Sequence, residues 1–482
     1  MRNIVLVVLI LFCLPAIAYS QCGCGSNSGP CGSNGGCNCG CGGGSAPPEF
    51  GSNLPFNGFG VKMHSRVPLS VMNADPNTLG SAIWGWTDAT APGGPRNYAL
   101  FGLNNGTSFV DVTNPANPVY VGRLPSATGT SVWRELKTYQ NYAYVISDGN
   151  GNHGMQVFDL TNLRNYSGTP ITFSANTRYF AGNNAGAFSN AHTIHINEDT
   201  GYAYVFGTST HSGGVHVVNI NNPLAPTFAG GYSAAGYVHD GQSVVYQGPD
   251  TRFTGQEILF GANSRSSANV ADDMVQILNV SNKSNIVQLG QTTHPNARYT
   301  HQGWLTEDHR YFVVNDELDE YYDQSVTKSH IYDVSNLTNP VYRGSFTFPN
   351  NSKVIDHNLF IKGDLIFASN YVMGLRVLRM GDLGAPGGPE IEEIAWFDTY
   401  PADDAEKSFN GLWGNYPFFD NGIIIAGDRQ NGLFVLELDL AAVPEPGTYA
   451  LIATGALAGL GFYRYRRKAA KKVLEQSVEE PA

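Results

Sequence analysis

A short pattern of alternating apolar and polar residues recurs along most of this chain. In the copy at residues 330–346, the stretches 331–334 and 341–346 alternate and are rich in β-branched and aromatic residues, and a polar stretch ending at Pro340 joins them. Such alternation predicts β-strands, and Ser, Asn and Pro predict a turn between them. Seven segments carry the central strand of the pattern: 108–112, 155–160, 215–220, 275–280, 331–334, 375–380 and 433–438.

The seven segments follow one another at steps of roughly 46–60 residues, which suits the four-stranded blade of a β-propeller. An apolar partner strand precedes each segment and a further strand follows most of them. In the second unit, residues 171–173 are the candidate for that outer strand. We therefore predict an all-β fold, a seven-bladed β-propeller of four-stranded blades, over residues 57–440.

The two ends of this repeat region complement each other. The seventh unit lacks a strand after residue 438, whereas residues 60–69 form a strand pattern without a unit of their own. An unpaired sheet edge is unfavourable, and propellers close by pairing a strand from one terminus with the blade at the other. The N-terminal strand is thus predicted to close the ring. An open β-solenoid, the alternative, does not explain this complementarity.

Composition favours a β-rich protein outside the cytoplasm. Charged residues make up 14% of the chain and glycine is abundant, whereas typical soluble domains contain about 25% charged residues. The formal net charge is -12 and no basic stripe occurs in the body of the chain. Nucleic-acid binding is therefore not expected.

The first 48 residues are predicted to form an export signal and a linker. Residues 1–18 combine Arg2, an apolar run and small residues before the cut, which predicts a signal peptide removed by signal peptidase. The run is too short to favour a transmembrane anchor. Residues 19–48 form a Gly-rich tether that can be tied by disulfides, or else bind a soft metal ion. Its six cysteines are Cys22, Cys24, Cys31, Cys37, Cys39 and Cys41.

The C-terminal region predicts a membrane segment. In residues 443–472 a Pro-Glu-Pro motif precedes an apolar run of about 15 residues and a basic cluster, and a polar tail of residues 473–482 follows. The basic cluster would keep the tail on the cytoplasmic side of a membrane. The defining residues are Pro444, Glu445, Pro446, Arg464, Arg466 and Arg467.

These motifs resemble known bacterial families. The repeat Gly-Leu-x-Val-x-Asp-Val-Ser-Asn is similar to the LVIVD repeat of surface β-propellers, and the stretches 83–88, 153–160, 299–308, 316–320 and 398–401 resemble the choice-of-anchor B family. The resemblance covers residues 69–438 and implies fold and location, not a reaction. The C-terminal region resembles a PEP-CTERM sorting signal, which implies an exosortase as partner, with a membrane-held precursor before cleavage. A plain membrane anchor is the alternative.

Four consecutive units place a histidine at the same register, where the innermost strand begins. Propeller symmetry would bring these side chains to one end of the central channel, beside two carboxylates. Converging imidazoles and carboxylates favour a transition-metal site. A structural role, with each ring bonded to a neighbouring blade, is the alternative. The candidate ligands are His192, His239, His301, His357, Asp240 and Asp356.

A second carboxylate cluster follows a strand of the fifth unit. Oxygen-rich clusters of this kind can bind Ca²⁺, although an acidic loop is more often simply solvated. The candidate ligands are Asp316, Glu317, Asp319 and Glu320.

No nucleophile, P-loop or dinucleotide motif occurs in the chain. The sequence therefore favours an exported surface or secreted propeller that binds a ligand or partner through its channel mouth and loops, and is not an enzyme. The alternative is a metal-dependent propeller hydrolase that uses the histidines as ligands and Asp240, Asp356 or Glu135 as general base. A third hypothesis is an adhesion or matrix component cross-linked through the cysteine-rich tether.

Overall fold

The structure is a computed structural model that describes residues 56–234, 236–264, 273–349, 352–402, 406–439 and 441. The predicted signal peptide, cysteine-rich tether, sorting segment and polar tail all lie outside these residues. Within the described ranges, no helix has the length and hydrophobicity that crossing a membrane requires.

Seven strands form a closed ring around a central channel, each in contact with the next and the last with the first. All seven begin at one mouth of the channel, and their alternating side chains face the channel or the blade behind them. They are β3 (Gly80–Asp88), β7 (Arg134–Tyr139), β12 (Thr193–Asn197), β16 (Val238–Val245), β20 (Thr300–Leu305), β24 (Leu359–Lys362) and β28 (Leu412–Tyr416).

Each inner strand is the first of an antiparallel sheet that extends outward as one blade. The second strands are β4 (Arg96–Leu103), β8 (Tyr142–Ser147), β13 (Tyr202–Phe206), β17 (Glu257–Asn263), β21 (Tyr311–Asp316), β25 (Leu365–Ser369) and β29 (Ile423–Asp428). The third strands are β5 (Gly106–Asp111), β9 (Met155–Asp159), β14 (Val215–Asn219), β18 (Met274–Asn279), β22 (Lys328–Asp333), β26 (Leu375–Met380) and β30 (Gly432–Leu438).

The fourth strands complete the blades and confirm the predicted seven-bladed architecture. Six follow their own third strand in sequence: β6 (Val119–Pro125), β11 (Thr177–Tyr179), β15 (Thr227–Tyr232), β19 (Val287–Thr292), β23 (Val341–Thr347) and β27 (Ile391–Asp398). The seventh blade takes β2 (Val61–Val67), which pairs antiparallel with β30 from Val61 opposite Leu438 to Val67 opposite Leu433. The N-terminal strand therefore closes the ring, as the sequence predicts.

Two short strands depart from the predicted plan. The prediction that residues 171–173 form the outer strand of blade 2 is wrong, because β10 (Ile171–Thr172) pairs parallel with β6 of blade 1. The outer strand of blade 2 is β11, six residues further on. In addition, β1 (Asn57–Phe59) adds a fifth strand to blade 6 by pairing with β27. Blades 1 and 6 are thus five-stranded.

The hydrophobic core lies between the blades. Each pair of adjacent blades shares one cluster of buried side chains, contributed by the facing surfaces of their second and third strands. Strands buried on both faces explain why the second strands read as nearly continuous apolar runs. Among the described residues, the helices that can be given bounds are short connections: α1 (Leu69–Met72), α2 (Asp319–Asp323) and 3₁₀ turns at Leu160–Asn165, His211–Gly213 and Thr251–Phe253.

Candidate functional site

The four histidines of the predicted register stand side by side at the mouth where the inner strands begin. His192 directly precedes β12, His239 and His301 lie at the starts of β16 and β20, and His357 precedes β24 by two residues. The ring centroids of consecutive histidines are 4.5, 4.1 and 4.5 Å apart. We name this row, His192, His239, His301 and His357, the histidine arc.

Hydrogen bonds at Nδ1 orient three of the four rings of the arc, whereas Nδ1 of His301 has no hydrogen-bond partner among the described residues. His239 Nδ1 donates to the carbonyl oxygen of His301 at 2.8 Å, and His357 Nδ1 donates to that of Trp413 at 2.5 Å. His192 Nδ1 contacts the Asp148 carboxylate at 2.9 Å. A histidine whose Nδ1 is held in this way presents Nε2 to a ligand, which is the usual arrangement of metal-binding histidines.

A carboxylate from the neighbouring loop meets two of these rings. Glu317 Oε2 lies 3.5 Å from His301 Nε2, and Glu317 Oε1 lies 3.9 Å from His357 Nε2. One ligand atom from each of the three residues falls within 4.8 Å of the other two. We name His301, His357 and Glu317 the channel-mouth trio.

The fold explains why Glu317 reaches the arc. Strands β20 and β21 pair with Thr300 opposite Asp316, so the residue after β21 returns to the level where β20 begins. The Tyr371 hydroxyl then donates to Glu317 Oε1 at 2.6 Å. Tyr371 itself adopts φ 39°, a conformation that costs a non-glycine residue free energy and that the surrounding packing must impose.

Burial sets the protonation states at this mouth. It lowers the pKa of His239 and His301 well below the usual value, and it lowers the pKa of His357 to about 3. These three imidazoles are therefore neutral near pH 7, which is the form that binds metal ions. Burial also raises the pKa of Glu317 to about 7. Desolvation disfavours the charged form in every case.

The other predicted ligands occupy different positions. Asp240 lines a cavity of about 20 Å³ beside the arc, together with Glu135 and Trp133, and this is space for about one water molecule. Burial raises the pKa of Asp240 to about 7. Asp356 is buried next to His357 in sequence, but neither of its oxygens has a hydrogen-bond partner among the described residues. Neither carboxylate belongs to the channel-mouth trio.

The four predicted calcium ligands have different surroundings and do not share one set of contacts. Asp316 is engaged by His294 Nε2 at 3.0 Å and by the backbone N–H groups of Arg298 and Tyr299. Asp319 accepts a hydrogen bond from Lys328 Nζ at 3.0 Å. Glu317 belongs to the channel-mouth trio, whereas Glu320 is buried without a hydrogen bond from the described residues.

The opposite mouth of the channel is lined mainly by aromatic side chains. A cavity of about 220 Å³ is lined there by aromatic side chains, with Lys137 and His195 beside them. Lys137 Nζ lies 4.3 Å from the ring centroid of Trp84. His195 Nε2 contacts the Ser243 carbonyl oxygen at 3.0 Å. The aromatic residues are Trp84, Trp304, Tyr416 and Phe418.

Sequence reasoning located the histidines but missed their partners. The sequence assigns Glu317 to the acidic cluster with its neighbours, and it does not mark Tyr371 or Asp148. The register of the hairpin β20–β21 was the available signal for Glu317, because it places the end of one strand beside the start of the other. For Tyr371 and Asp148 the repeat pattern contains no comparable signal.

Two family models match parts of the chain. The LVIVD repeat matches residues 96–125, which cover the last three strands of blade 1. The PEP-CTERM protein-sorting motif matches residues 442–468. This motif indicates export and anchoring at the cell surface, and it implies processing by an exosortase-type enzyme. A comparison with curated protein sequences gives no match.

Two of the solved structures that match this chain share little sequence with it. Hydrazine synthase of Kuenenia stuttgartiensis aligns at 11% identity and a TM-score of 0.50, over 70% of this chain and 91% of that one. A protein from Lactobacillus plantarum aligns at 13% identity and a TM-score of 0.45, over 73% of this chain and 88% of that one. Likeness at this level concerns the fold alone.

Proposed function

We propose that this protein is an exported cell-surface propeller that binds a ligand or partner at its channel mouth, through a transition-metal ion held by His301, His357 and Glu317. The observation that carries the proposal is the convergence of two imidazole nitrogens and one carboxylate oxygen within 4.8 Å. Two imidazoles and a carboxylate form a ligand set that suits Zn²⁺ and neighbouring first-row ions.

The surroundings of the trio support a binding role. Three protein ligands leave a coordination position open for an external donor. His239 stands beside His301 and is the nearest further imidazole of the arc. The hydrogen bond from Tyr371 to Glu317 orients the carboxylate, as outer-sphere partners of metal ligands commonly do. The ion would supply a Lewis-acidic anchor for an anionic or nitrogen-donating group of the partner.

Metal analysis of the purified protein tests this proposal. We expect one Zn²⁺ or similar ion per chain after reloading of chelator-treated protein, measured by elemental analysis and isothermal titration calorimetry. The double variant His301→Ala/His357→Ala should lose affinity by at least about 100-fold, because it removes two of three ligands. His64→Ala is the control and should keep the ion, because His64 lies on β2 and pairs with Glu437 of β30.

The proposal fails if the unmodified protein takes up no stoichiometric ion. It also fails if the double variant binds the same amount with the same affinity as the control.

A second candidate function is metal-dependent hydrolysis. The observation that favours it is the shared cavity in which Asp240 and Glu135 face the histidine arc. There a carboxylate could take a proton from a water molecule activated by the ion. Turnover of ester, lactone and glycoside substrates by the metal-loaded protein, lost in Asp240→Asn while the ion is retained, would support this function. Absence of turnover across the panel would leave only the binding role.

Membership of the choice-of-anchor B family and the domain plan outside the propeller belong to the same proposal. The family motifs in the sequence support the first, and the signal-peptide pattern and the six cysteines of residues 19–48 support the second. A matrix role through the tether predicts multimers that a reducing agent dissolves on gels.

A further inference from the structure

The cavity at the opposite mouth of the channel is built by the inner strands of several blades. Its lining comes from blades 1, 2, 3, 5 and 7. Its volume of about 220 Å³ leaves room for about seven water molecules, which suits one ring-sized molecule and not a polymer backbone. We name it the aromatic cavity and define it by Trp84, Lys137, Glu198, Trp304, Tyr416 and Phe418.

Four aromatic rings form a continuous wall of this cavity. Phe418 lies in the middle, with ring-centroid distances of 5.3 Å to Tyr416 and 6.0 Å to Trp304. Trp84 adjoins Tyr416 at 5.0 Å, and Phe360 packs against both tryptophans and supports them. Trp84 is buried, whereas the other three wall rings are half-buried. They therefore keep accessible faces, which pack against the C–H groups of a ligand.

Two side chains of opposite charge share the cavity with these rings. Lys137 Nζ lies 4.3 Å from the ring centroid of Trp84 and 2.6 Å from Glu135 Oε1. Glu198 follows the end of β12 and is exposed, so its carboxylate is available to a ligand. The cavity thus offers a strong hydrogen-bond donor and a strong acceptor beside its aromatic wall.

These charges restrict the ligand to a neutral molecule that carries hydroxyl groups. A cation would meet the Lys137 ammonium, which already occupies the face of Trp84. An anion would meet the Glu198 carboxylate. A wholly apolar ligand would cover both charged groups without offering them hydrogen bonds, which is unfavourable. A hydroxyl group accepts from an ammonium and donates to a carboxylate, so it satisfies both.

We propose that the aromatic cavity binds one neutral sugar ring, a hexose or an N-acetylhexosamine. The apolar C–H face of the ring packs against Trp304 and Phe418, and its hydroxyl groups bond to Lys137 and Glu198. A cavity with apolar walls and a few convergent polar groups is the usual form of a small-molecule site. This site lies at the other end of the channel from the channel-mouth trio and does not rest on the proposed function.

Titration of chelator-treated protein with free sugars tests the site. The probes are D-glucose, D-galactose, D-mannose and N-acetyl-D-glucosamine. We expect at least one to bind with a dissociation constant on the order of 1 mM, measured by isothermal titration calorimetry. The same sugar should change the tryptophan fluorescence, because two tryptophans line the cavity. Choline, a cation, and D-glucuronate, an anion, should bind at least about tenfold more weakly.

Two variants assign the binding to this cavity. Trp304→Ala should weaken binding of the sugar at least about tenfold, because it removes an aromatic face. Glu198→Gln should weaken it about fivefold, because it replaces a charged acceptor by a neutral one, and it changes an exposed side chain that the fold does not need. The matched controls, Trp396→Ala and Glu392→Gln, lie on β27 in blade 6 and should keep the affinity of the unmodified protein.

The proposal is overturned if no sugar of the panel binds, or if choline or D-glucuronate binds as tightly as the best sugar. It is equally overturned if Trp304→Ala and Glu198→Gln bind that sugar with the affinity of their controls. Because the titration is made without a metal ion, its failure leaves the proposed metal site untouched, and failure of the metal site leaves this one untouched.

Discussion

His153 is a buried residue whose surroundings accept only its neutral form. It is fully buried beside Arg134, which is itself 1% exposed. His153 Nδ1 donates to the Gly154 carbonyl oxygen at 2.9 Å, and Arg134 Nη1 lies 3.1 Å from His153 Nε2. Burial first, and the charge of Arg134 second, lower the pKa of His153 to about 4. A proton at Nε2 would set two cations against each other without water to screen them.

We predict from this pair that acid weakens the fold between about pH 6.5 and pH 4. The unfolded chain takes up the proton with the ordinary pKa of about 6.5, whereas the folded chain does so only near pH 4. The contribution of neutral His153 to stability is therefore complete above pH 6.5 and is lost as the pH falls, by about 3 kcal/mol in total.

Urea denaturation of metal-free protein between pH 7 and pH 4 measures this effect. His153→Gln cannot titrate, so its free energy of unfolding should fall less steeply with pH, by up to about 1.4 kcal/mol per pH unit. Identical slopes for the variant and the unmodified protein would contradict the assignment.

For individual residues, the sequence predicts where the histidines lie in the fold better than it predicts which side chains contact them. The register of the four histidines follows from the repeat, because each blade begins its inner strand in the same way. The partner of His301 and His357 comes from a loop specific to blade 5, and only the hairpin geometry selects Glu317 over its acidic neighbours. The burial of Glu320 and Asp356 depends on packing between blades 5 and 6, which no local pattern encodes.

Among the strands, a glycine recurs on the outer strand of several blades, at a point where another segment of the chain lies close to it. Gly122, Gly230, Gly290 and Gly344 each lie on an outer strand, next to the extra residue of a β-bulge in that strand's pairing with the third strand. A Cβ atom on Gly230 would overlap the carbonyl oxygen of Lys283, in the turn of the next blade. The glycine therefore lets that turn dock against the outer strand.

We predict that Gly230→Ala lowers the free energy of unfolding by about 1–3 kcal/mol, because the backbone of the next blade has to move away. Gly387→Ala is the control, since a Cβ there meets no atom within 4 Å and the residue needs no positive φ. Chemical denaturation compares the two variants. Equal stability of both would show that the turn at Lys283 adjusts without cost.

The error in blade 2 has a physical reason at the same level. Phe173, which marked residues 171–173 as a strand, is indeed buried, but it packs in the cluster shared by blades 1 and 2. An apolar pattern reports burial and not the sheet to which a strand belongs. The true outer strand, β11, has three residues and one buried side chain, so its alternation is too short to stand out.

For the whole molecule, the closing strand determines whether the ring is complete. Without β2, strand β30 would expose its unpaired edge, and blade 7 would lose the contacts of Val67 with the cluster between blades 7 and 1. The sequence predicts this closure because one unit, the seventh, lacks a fourth strand, and one strand pattern, at residues 60–69, has no unit of its own. The extra strand β1 was not predicted, since three exposed residues carry no pattern.

We predict that a variant lacking residues 1–67 melts roughly 10 °C or more below the unmodified protein and associates through the edge of β30. A variant lacking residues 1–59 is the control, because it loses β1 and keeps β2. Thermal melting and size-exclusion chromatography measure both effects. A monomer with unchanged melting after loss of β2 would mean that the ring does not need its closing strand.

The antiparallel pairing of β2 with β30 also has a mechanical consequence. Val61, where the chain enters β2, lies opposite Leu438, where it leaves β30, and Asp439 N donates to the Gly60 carbonyl oxygen. A force applied between the two ends of the propeller would first detach β1 from β27, and would then act at this point and open the hydrogen bonds between β2 and β30 one after another. Blades 1 to 5 would bear almost none of that load, so tension would release the closing strand before it unfolded those blades.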